Sequence, residues 1–235
     1  MYERMLPVFV SAVAFFFMKM PIKNQNRETA AYREQTLAVI GIEESSSGIL
    51  SITLSDHTRV YTRSQYLNAE RDKLTSGYPL DGIHLDALYY ANRQFLAECK
   101  AISLLNYAEN SRFMLEQKLI KKGFSRAEIS APLDYLAQNN IVSDERFAKT
   151  WLRSRLKYHA ESKSVLTARL MARGIPSSLA KKVINETIND TSELELCKKA
   201  VEKQIRKNAS QDKILSRLQA AGFSYTTIKK ALSDD

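Results

Sequence analysis

One phrase occurs three times in the second half of the chain and constrains its fold more than any other feature. In each copy two aliphatic residues stand four positions apart, and four positions later comes a glycine followed by an apolar residue. The copies occupy residues 115–124, 166–175 and 214–223, so the glycines are 51 and 48 residues apart. Aliphatic residues at i and i+4 share one face of a helix, and glycine supplies a left-handed C-terminal cap. The phrase therefore predicts the end of a helix three times.

A second helix is predicted after each glycine. Its start is marked by Ser125 and Glu128, which can form a capping box, by Pro176 with Ser177, and by Ser224. The apolar positions six and ten residues beyond the glycines are Ile129, Leu133, Ala180, Ile184, Ile228 and Leu232. This spacing gives each second helix one buried face.

A third helix completes the unit, and in the first copy it begins at Ser143. Self-similarity with a period near 50 residues is typical of tandem helical arrays. The predicted fold class is therefore mainly α, with tandem three-helix repeats in an elongated array. The first repeat and its preceding helix cover residues 83–158, the second repeat covers 159–208, and a third, truncated repeat covers 209–235.

The region before the repeats has a β pattern. Residues 36–42, 49–54 and 59–61 are rich in apolar and β-branched side chains, and turn-forming residues separate them at 45–48 and 55–57. They predict a three-stranded meander, which needs to pack on helices beginning near Ser64 and Ile83. Residues 34–82 are thus predicted to be a small N-terminal α+β accessory region.

The first residues include an apolar run at positions 6–18. It is shorter than the ~20 residues of a membrane span, and no small-residue cleavage site follows it. Residues 1–33 are therefore predicted to be an apolar leader, or the result of a start assigned upstream of Met20, followed by a linker. We expect no membrane contact and a cytoplasmic location, which the two widely spaced cysteines also favour.

Positive charge is concentrated in the repeat region. The chain carries 35 Lys and Arg against 26 Asp and Glu, for a net charge of +9. Residues 1–96 hold ten of each sign, so the whole excess lies in residues 97–235. A localised basic balance favours a polyanionic partner such as nucleic acid, or an acidic protein surface.

Basic clusters recur at three- or four-residue steps around the first glycine, on the predicted third helix and through the second repeat, where Lys199 and Lys203 extend them. Such residues share a helix face opposite the apolar stripe. The alternative interpretation is an ordinary solvated helix face. The binding candidates taken from these clusters are Lys121, Lys122, Arg126, Arg146, Arg153, Arg155, Lys157, Arg169, Arg173, Lys181, Lys182, Arg206 and Lys207.

Sequence motifs for catalysis are absent. The chain has no glycine-rich phosphate loop, no H-E-x-x-H, no G-x-S-x-G and no repeated Cys/His ligand set. His57, His84 and His159 are expected to be surface residues, and Cys99 and Cys197 are expected in the core. We predict no catalytic residue, no metal site and no cofactor.

The repeats resemble those of the RecX regulators of the RecA recombinase. The first unit has LEQKLIKKGF at residues 115–124 and Asp-Glu-Arg-Phe-Ala at 144–148, and these stretches are similar to the K-x-x-G-[FI] and D-E-R-[FY]-A phrases of that family. The phrases ending in Gly174-Ile175 and Gly222-Phe223 are similar to its second and third units. The chain departs from the pattern at Ala108 and Ala221, where the family usually has basic residues.

The resemblance implies a protein that is not an enzyme. It implies binding to the RecA filament on single-stranded DNA, with inhibition of ATP hydrolysis, strand exchange and filament growth. Double-stranded DNA is a further possible partner, and nothing in the sequence requires an oligomer, so we expect a monomer. The alternative function is a stand-alone basic helical DNA-binding module that acts in transcription or repair.

Overall fold

A computed structural model describes residues 36–67, 71–188 and 193–233, and these form four strands and ten helices. The strands are β1 (Leu37–Glu44), β2 (Ile49–Leu54), β3 (Arg59–Arg63) and β4 (Pro79–Leu80). The helices are α1 (Ser64–Leu67), α2 (Gly82–Tyr107), α3 (Arg112–Ile120), α4 (Arg126–Gln138), α5 (Asp144–Tyr158), α6 (Lys163–Met171), α7 (Ser177–Thr187), α8 (Glu193–Ile205), α9 (Gln211–Ala220) and α10 (Tyr225–Ser233).

The strands form one antiparallel sheet in the order β3-β2-β1-β4. The predicted three-stranded meander is confirmed as β1, β2 and β3. The sheet also contains β4, which sequence analysis did not predict and which pairs Leu80 with Leu37 and Pro79 with Ala38. Most apolar side chains of the sheet are buried in one core with α1 and the first half of α2, whereas Ile40 on β1 is exposed.

Helix α2 is long enough to serve two cores. Its N-terminus is capped by Asp81, whose carboxylate accepts from the backbone N–H groups of Ile83 and His84. At 1.5 Å per residue its 26 residues span about 39 Å. The first half packs on the sheet, and the second half packs on α3 and α4.

A buried ion pair fixes the sheet to the helices. The Arg63 guanidinium on β3 donates to both carboxylate oxygens of Glu98 on α2 at 2.8–3.0 Å, and donates to the carbonyl of Ser47 at 2.6 Å. The Tyr66 hydroxyl donates to Glu98 at 2.8 Å, and burial together with that carboxylate raises the pKa of Tyr66. Arg63 also lies over the ring of Tyr135, with 4.7 Å to the centroid. One cluster therefore joins the first hairpin, α1, α2 and α4.

The three predicted helix ends are confirmed. Gly123, Gly174 and Gly222 have φ of 89°, 81° and 86°, the left-handed region that glycine adopts without strain. In each copy the residue after the glycine donates its N–H to the carbonyl of the phrase's second aliphatic residue at 3.2 Å. This 6→1 bond is the Schellman arrangement.

The predicted helix starts are also observed. Ser125 and Glu128 form the capping box, because the Ser125 hydroxyl accepts from the Glu128 N–H and the Glu128 carboxylate accepts from the Ser125 N–H. Ser143 and Ser224 accept from backbone N–H groups three residues later, at 3.2 and 3.1 Å. Helix α7 begins after Pro176 without a side-chain cap.

The chain divides into two compact units. Of the described residues, unit 1 comprises those up to Ala108 together with Leu115–Val142, and unit 2 comprises Glu109–Met114 together with those from Ser143 onwards. Within the described residues, unit 1 contains the two cores that share α2, and unit 2 contains one core built from α5 to α10. Helix α5 thus belongs to the same unit as α6 and α7. The unit boundary at 142/143 lies inside the predicted first repeat, 83–158, and the repeat boundaries stay a prediction.

The segment Glu109–Met114 is hydrogen-bonded to the rest of unit 2 through Glu109, Ser111 and Arg112. Glu109 accepts from the Arg146 guanidinium at 2.8 Å, and the N–H of Arg112 donates to the Asp144 carboxylate at 2.8 Å. The hydroxyl of Ser111, which is fully buried, donates to the carbonyl of Arg173 at 2.6 Å. We call this segment the clasp.

The mainly helical fold with a small N-terminal strand region is confirmed. Cys99 and Cys197 are both buried free thiols, as expected for core residues. In the part of the chain that the structure describes, no helix is both long and apolar enough to cross a bilayer. The predicted leader and linker at 1–33 lie outside the described residues.

Candidate functional site

The thirteen basic candidates divide between the two units. Three are in unit 1, around the turn between α3 and α4. Ten are in unit 2, on α5, on the later helices α6 and α7, and just after the ends of α6 and α8. Their environments separate residues that hold the fold together from residues that face solvent.

The unit 1 candidates form a small exposed basic surface. Lys121 and Lys122 follow α3 and are exposed, and Arg126 opens α4 with its Nε 3.6 Å from the Glu116 carboxylate. The pKa of Lys100 on α2 is lowered by partial burial and by the charge of Lys122. The three candidates are therefore available to an anion.

Arg155 and Arg169 share one carboxylate. Arg155 donates to both oxygens of Glu161 at 2.9 and 2.7 Å, and Arg169 lies 3.0 Å from Glu161. The hydrogen bond from Arg155 is the main cause that lowers the pKa of Glu161, which is only 9% exposed. These two arginines fix the loop between α5 and α6, so their charge is partly used inside the fold.

Arg173 has an aromatic partner. Its guanidinium carbon lies 4.7 Å from the centre of the Trp151 ring, and its Nη1 donates to the carbonyl of Arg169 at 2.7 Å. Burial, followed by the charges of Arg169 and Arg155, lowers its pKa. Arg155 and Arg169 contact the Glu161 carboxylate, and Arg173 lies close enough to these two arginines to feel their charge.

The remaining candidates on α5 and α7 differ in exposure. Arg146 is paired with Glu109 of the clasp. Lys182 lies 3.7 Å from Glu145 and 3.8 Å from Glu186, two carboxylates that Lys149 also contacts. Arg153 and Lys181 are exposed.

Several basic residues of unit 2 line one groove of about 570 Å³. The groove lies between the C-terminal ends of α5 and α7 and helix α8. We call it the α5–α8 groove. Among its lining residues are five Lys or Arg side chains and one carboxylate, Glu202, which lies 3.4 Å from Arg206. The basic lining residues are Lys157, Lys199, Lys203, Arg206 and Lys207.

An exposed tyrosine lines the same groove. Tyr158 is the last residue of α5 and is 59% exposed. Lys203 donates to its carbonyl, and the Lys157 ammonium lies 5.4 Å from the centre of its ring. Sequence analysis did not select Tyr158, because its neighbours on α5 give no local signal for an exposed aromatic residue.

The histidines do not form a catalytic constellation. His84 contacts the Asp81 carboxylate at 2.5 Å and the Tyr78 hydroxyl at 3.2 Å at the start of α2. His159 borders the α5–α8 groove, and its pKa is lowered by burial and by the charge of Arg155. Among the described residues, no three His, Cys, Asp or Glu side chains are grouped so that they could hold a metal ion.

Comparison with known families and proteins gives one consistent result. The family model for the second three-helix domain of RecX matches residues 143–184, which span α5, α6 and most of α7. "Regulatory protein RecX" of Chlorobaculum tepidum is 33% identical over 137 residues, which cover 56% of this chain and 83% of that protein. The protein of the same name from Treponema pallidum strain Nichols is 29% identical over 147 residues, which cover 63% and 90%.

Solved structures show the same fold. A crystal structure of a regulatory protein RecX superposes with a TM-score of 0.64 at 20% identity, over 83% of this chain and 99% of that chain. The crystal structure of RecX from Lactobacillus salivarius gives 0.52 at 21% identity, over 61% and 97%.

Proposed function

We propose that this chain, which belongs to the RecX family of regulatory proteins, binds the RecA recombinase filament on single-stranded DNA and inhibits its ATP hydrolysis, strand exchange and growth. It acts in the cytoplasm as a monomer and needs neither cofactor nor catalytic residue. It regulates by binding alone, because a protein bound to the filament can block ATP hydrolysis, strand exchange and growth without a chemical reaction.

The observation that carries the proposal is the basic surface of unit 2. Ten of the thirteen candidates lie on this unit, and Arg153, Lys181 and Lys207 face solvent. Lys and Arg side chains on neighbouring helices can contact a partner with regularly spaced negative charges. Single-stranded DNA coated with RecA is such a partner. Contacts of this kind give affinity without reading base sequence, as a regulator of a filament on any DNA requires.

The test measures the rate of ATP hydrolysis by RecA on single-stranded DNA. This protein is added at concentrations from far below that of RecA up to an equimolar amount. We expect inhibition, and we expect it to weaken as salt rises, because phosphate contacts release counterions. The variants Arg153→Glu and Lys181→Glu should each raise the half-inhibitory concentration about fivefold, which corresponds to ~1 kcal/mol.

The matched control is Lys229→Glu, an exposed lysine on α10 of the same unit with the same change in charge. It should inhibit as the wild type does. Unchanged RecA turnover at equimolar protein would contradict the proposal. If the protein then bound duplex DNA tightly by itself, the result would support the stand-alone DNA-binding module instead.

A further inference from the structure

The α5–α8 groove combines two features that single-stranded nucleic acid recognises. Five basic side chains line it, and an aromatic ring stands open to solvent beside them. Proteins that bind single strands use such a combination, with positive charge along the backbone and aromatic faces for the bases. Double-stranded DNA offers phosphates but keeps its base faces stacked inside.

The backbone that carries the exposed Tyr158 ring is anchored to α8. Its backbone carbonyl, at the end of α5, accepts from Lys203 on α8. This contact satisfies one of the helix's last carbonyl groups and joins the two elements that form the groove. A ring on an anchored backbone loses less entropy when a base stacks on it than a ring on a free loop would.

The groove also has an apolar part that suits a base or sugar. Leu156, Ala160, Ile188 and Leu196 contribute to its lining between the charged residues. Its volume of about 570 Å³ falls within the ~300–1,000 Å³ of typical small-molecule sites, so a nucleotide-sized group can enter.

The charges in the groove are unevenly placed. Glu202 lies beside Arg206 and offsets its charge, and burial and the charge of Arg155 lower the pKa of His159. Lys203 is partly engaged at the Tyr158 carbonyl. Lys199 and Lys207 are both exposed on α8 or just after it, and they are the best placed to meet phosphates.

We infer that the α5–α8 groove is a binding site for single-stranded nucleic acid, in which a base stacks on Tyr158 and the adjoining phosphates contact Lys199 and Lys207. The inference rests on the proposed function for its ligand, since a regulator of a filament on single-stranded DNA has that strand within reach. It assigns the strand contact to one groove and to one aromatic residue.

The test measures binding by fluorescence anisotropy, without RecA, using the full chain and a labelled oligothymidylate. An abasic oligonucleotide of equal length carries the same phosphates without bases. We expect the abasic strand to bind about fivefold more weakly or worse, because base stacking on an aromatic side chain contributes that much. Equal affinity for the two strands would overturn the inference.

Tyrosine variants locate the stacking. Tyr158→Ala should bind oligothymidylate as weakly as the abasic strand, and Tyr158→Phe should keep the wild-type affinity because the ring remains. Tyr225→Ala removes another exposed tyrosine of the same unit, on α10, and should change nothing. Wild-type affinity in Tyr158→Ala would place the strand elsewhere.

Charge variants test the phosphate contacts. Lys199→Gln and Lys207→Gln should each reduce the slope of log affinity against log salt by about 0.7, the value for one phosphate on a single strand. Lys229→Gln should leave the slope unchanged. If polyglutamate displaced the oligonucleotide at an equal concentration of charge, the groove would be a site for acidic protein instead.

The two proposals fail in different ways. If the wild type inhibits RecA but Tyr158→Ala binds the oligonucleotide normally, the groove assignment is wrong and the proposed function stands. If oligonucleotide binding depends on Tyr158 but RecA turnover is unaffected, the groove assignment stands and the proposed function is wrong.

Discussion

The guanidinium group of Arg173 lies against the indole ring of Trp151, with 4.7 Å between the guanidinium carbon and the ring centre. Trp151 is the only tryptophan of the chain. Its fluorescence therefore reports on this one contact, which joins α5 to the turn after α6 in unit 2.

Arg173→Ala should shift the Trp151 emission to longer wavelength, because the indole ring becomes more exposed to water when the guanidinium group is removed. The free energy of unfolding should fall by about 1 kcal/mol, the size of a partly exposed cation–π contact. Fluorescence spectra and urea unfolding curves measure both effects. The control is Arg153→Ala, which removes an exposed arginine from α5, the helix that carries Trp151. Identical emission spectra for the two variants would refute the contact between Arg173 and Trp151.

Glu161→Gln should destabilise unit 2 in a pH-dependent way. The carboxylate pKa is lowered in the folded protein, chiefly by the Arg155 hydrogen bond, so the unfolded chain binds more protons. The stabilisation, about 2 kcal/mol, is full well above the ordinary pKa of 4.5 and is lost as pH falls through the lowered value.

Urea unfolding of wild type and Glu161→Gln at several pH values checks this difference. The two proteins should converge in acid and diverge at neutral pH. Glu202→Gln breaks an exposed pair with Arg206, and its effect should stay below about 0.5 kcal/mol. A constant difference between wild type and Glu161→Gln at every pH would count against the ion pair.

Gly174→Ala should cost more stability than Gly77→Ala, although both glycines have positive φ. A β-carbon at residue 77 would meet nothing within 4 Å, so only backbone strain applies, about 1 kcal/mol. At residue 174 it would lie 2.2 Å from the Phe113 β-carbon, which raises the cost to about 3 kcal/mol. Equal losses in denaturant titrations would show that the clasp is not packed there.

The two cysteines should be unreactive in the folded protein. Burial raises the pKa of Cys99 to about 12 and also raises the pKa of Cys197, so little thiolate is present at pH 8. Ellman's reagent should label neither thiol quickly under native conditions and both in denaturant. Rapid labelling of either one in the folded state would contradict its core position.

The helix ends could be predicted because their causes are local. A glycine after two aliphatic residues fixes the cap at Gly174 whatever surrounds it, and Ser125 finds its partner only three residues away. Strand β4 could not be predicted, since two residues that include Pro79 become a strand only through their pairing with β1.

The site was predictable in its charge but not in its detail. The excess of Lys and Arg indicated a basic surface, yet the partner of Arg146 is Glu109, 37 residues away. No local pattern shows that one arginine is engaged while Arg153 is open to solvent. Tyr158 becomes a candidate only when α8 is seen to lie against the end of α5.

The clasp has an evolutionary consequence. Unit 2 begins with Glu109–Met114, the chain then returns to unit 1 for Leu115–Val142, and only afterwards does it complete unit 2. A gene fragment copied or exchanged from Ser143 onwards would leave Arg146 without its carboxylate and the Arg173 carbonyl without the Ser111 hydroxyl. Because unit 2 is assembled from two separate stretches of sequence, no single continuous gene fragment that omits the intervening helices encodes it with these two contacts.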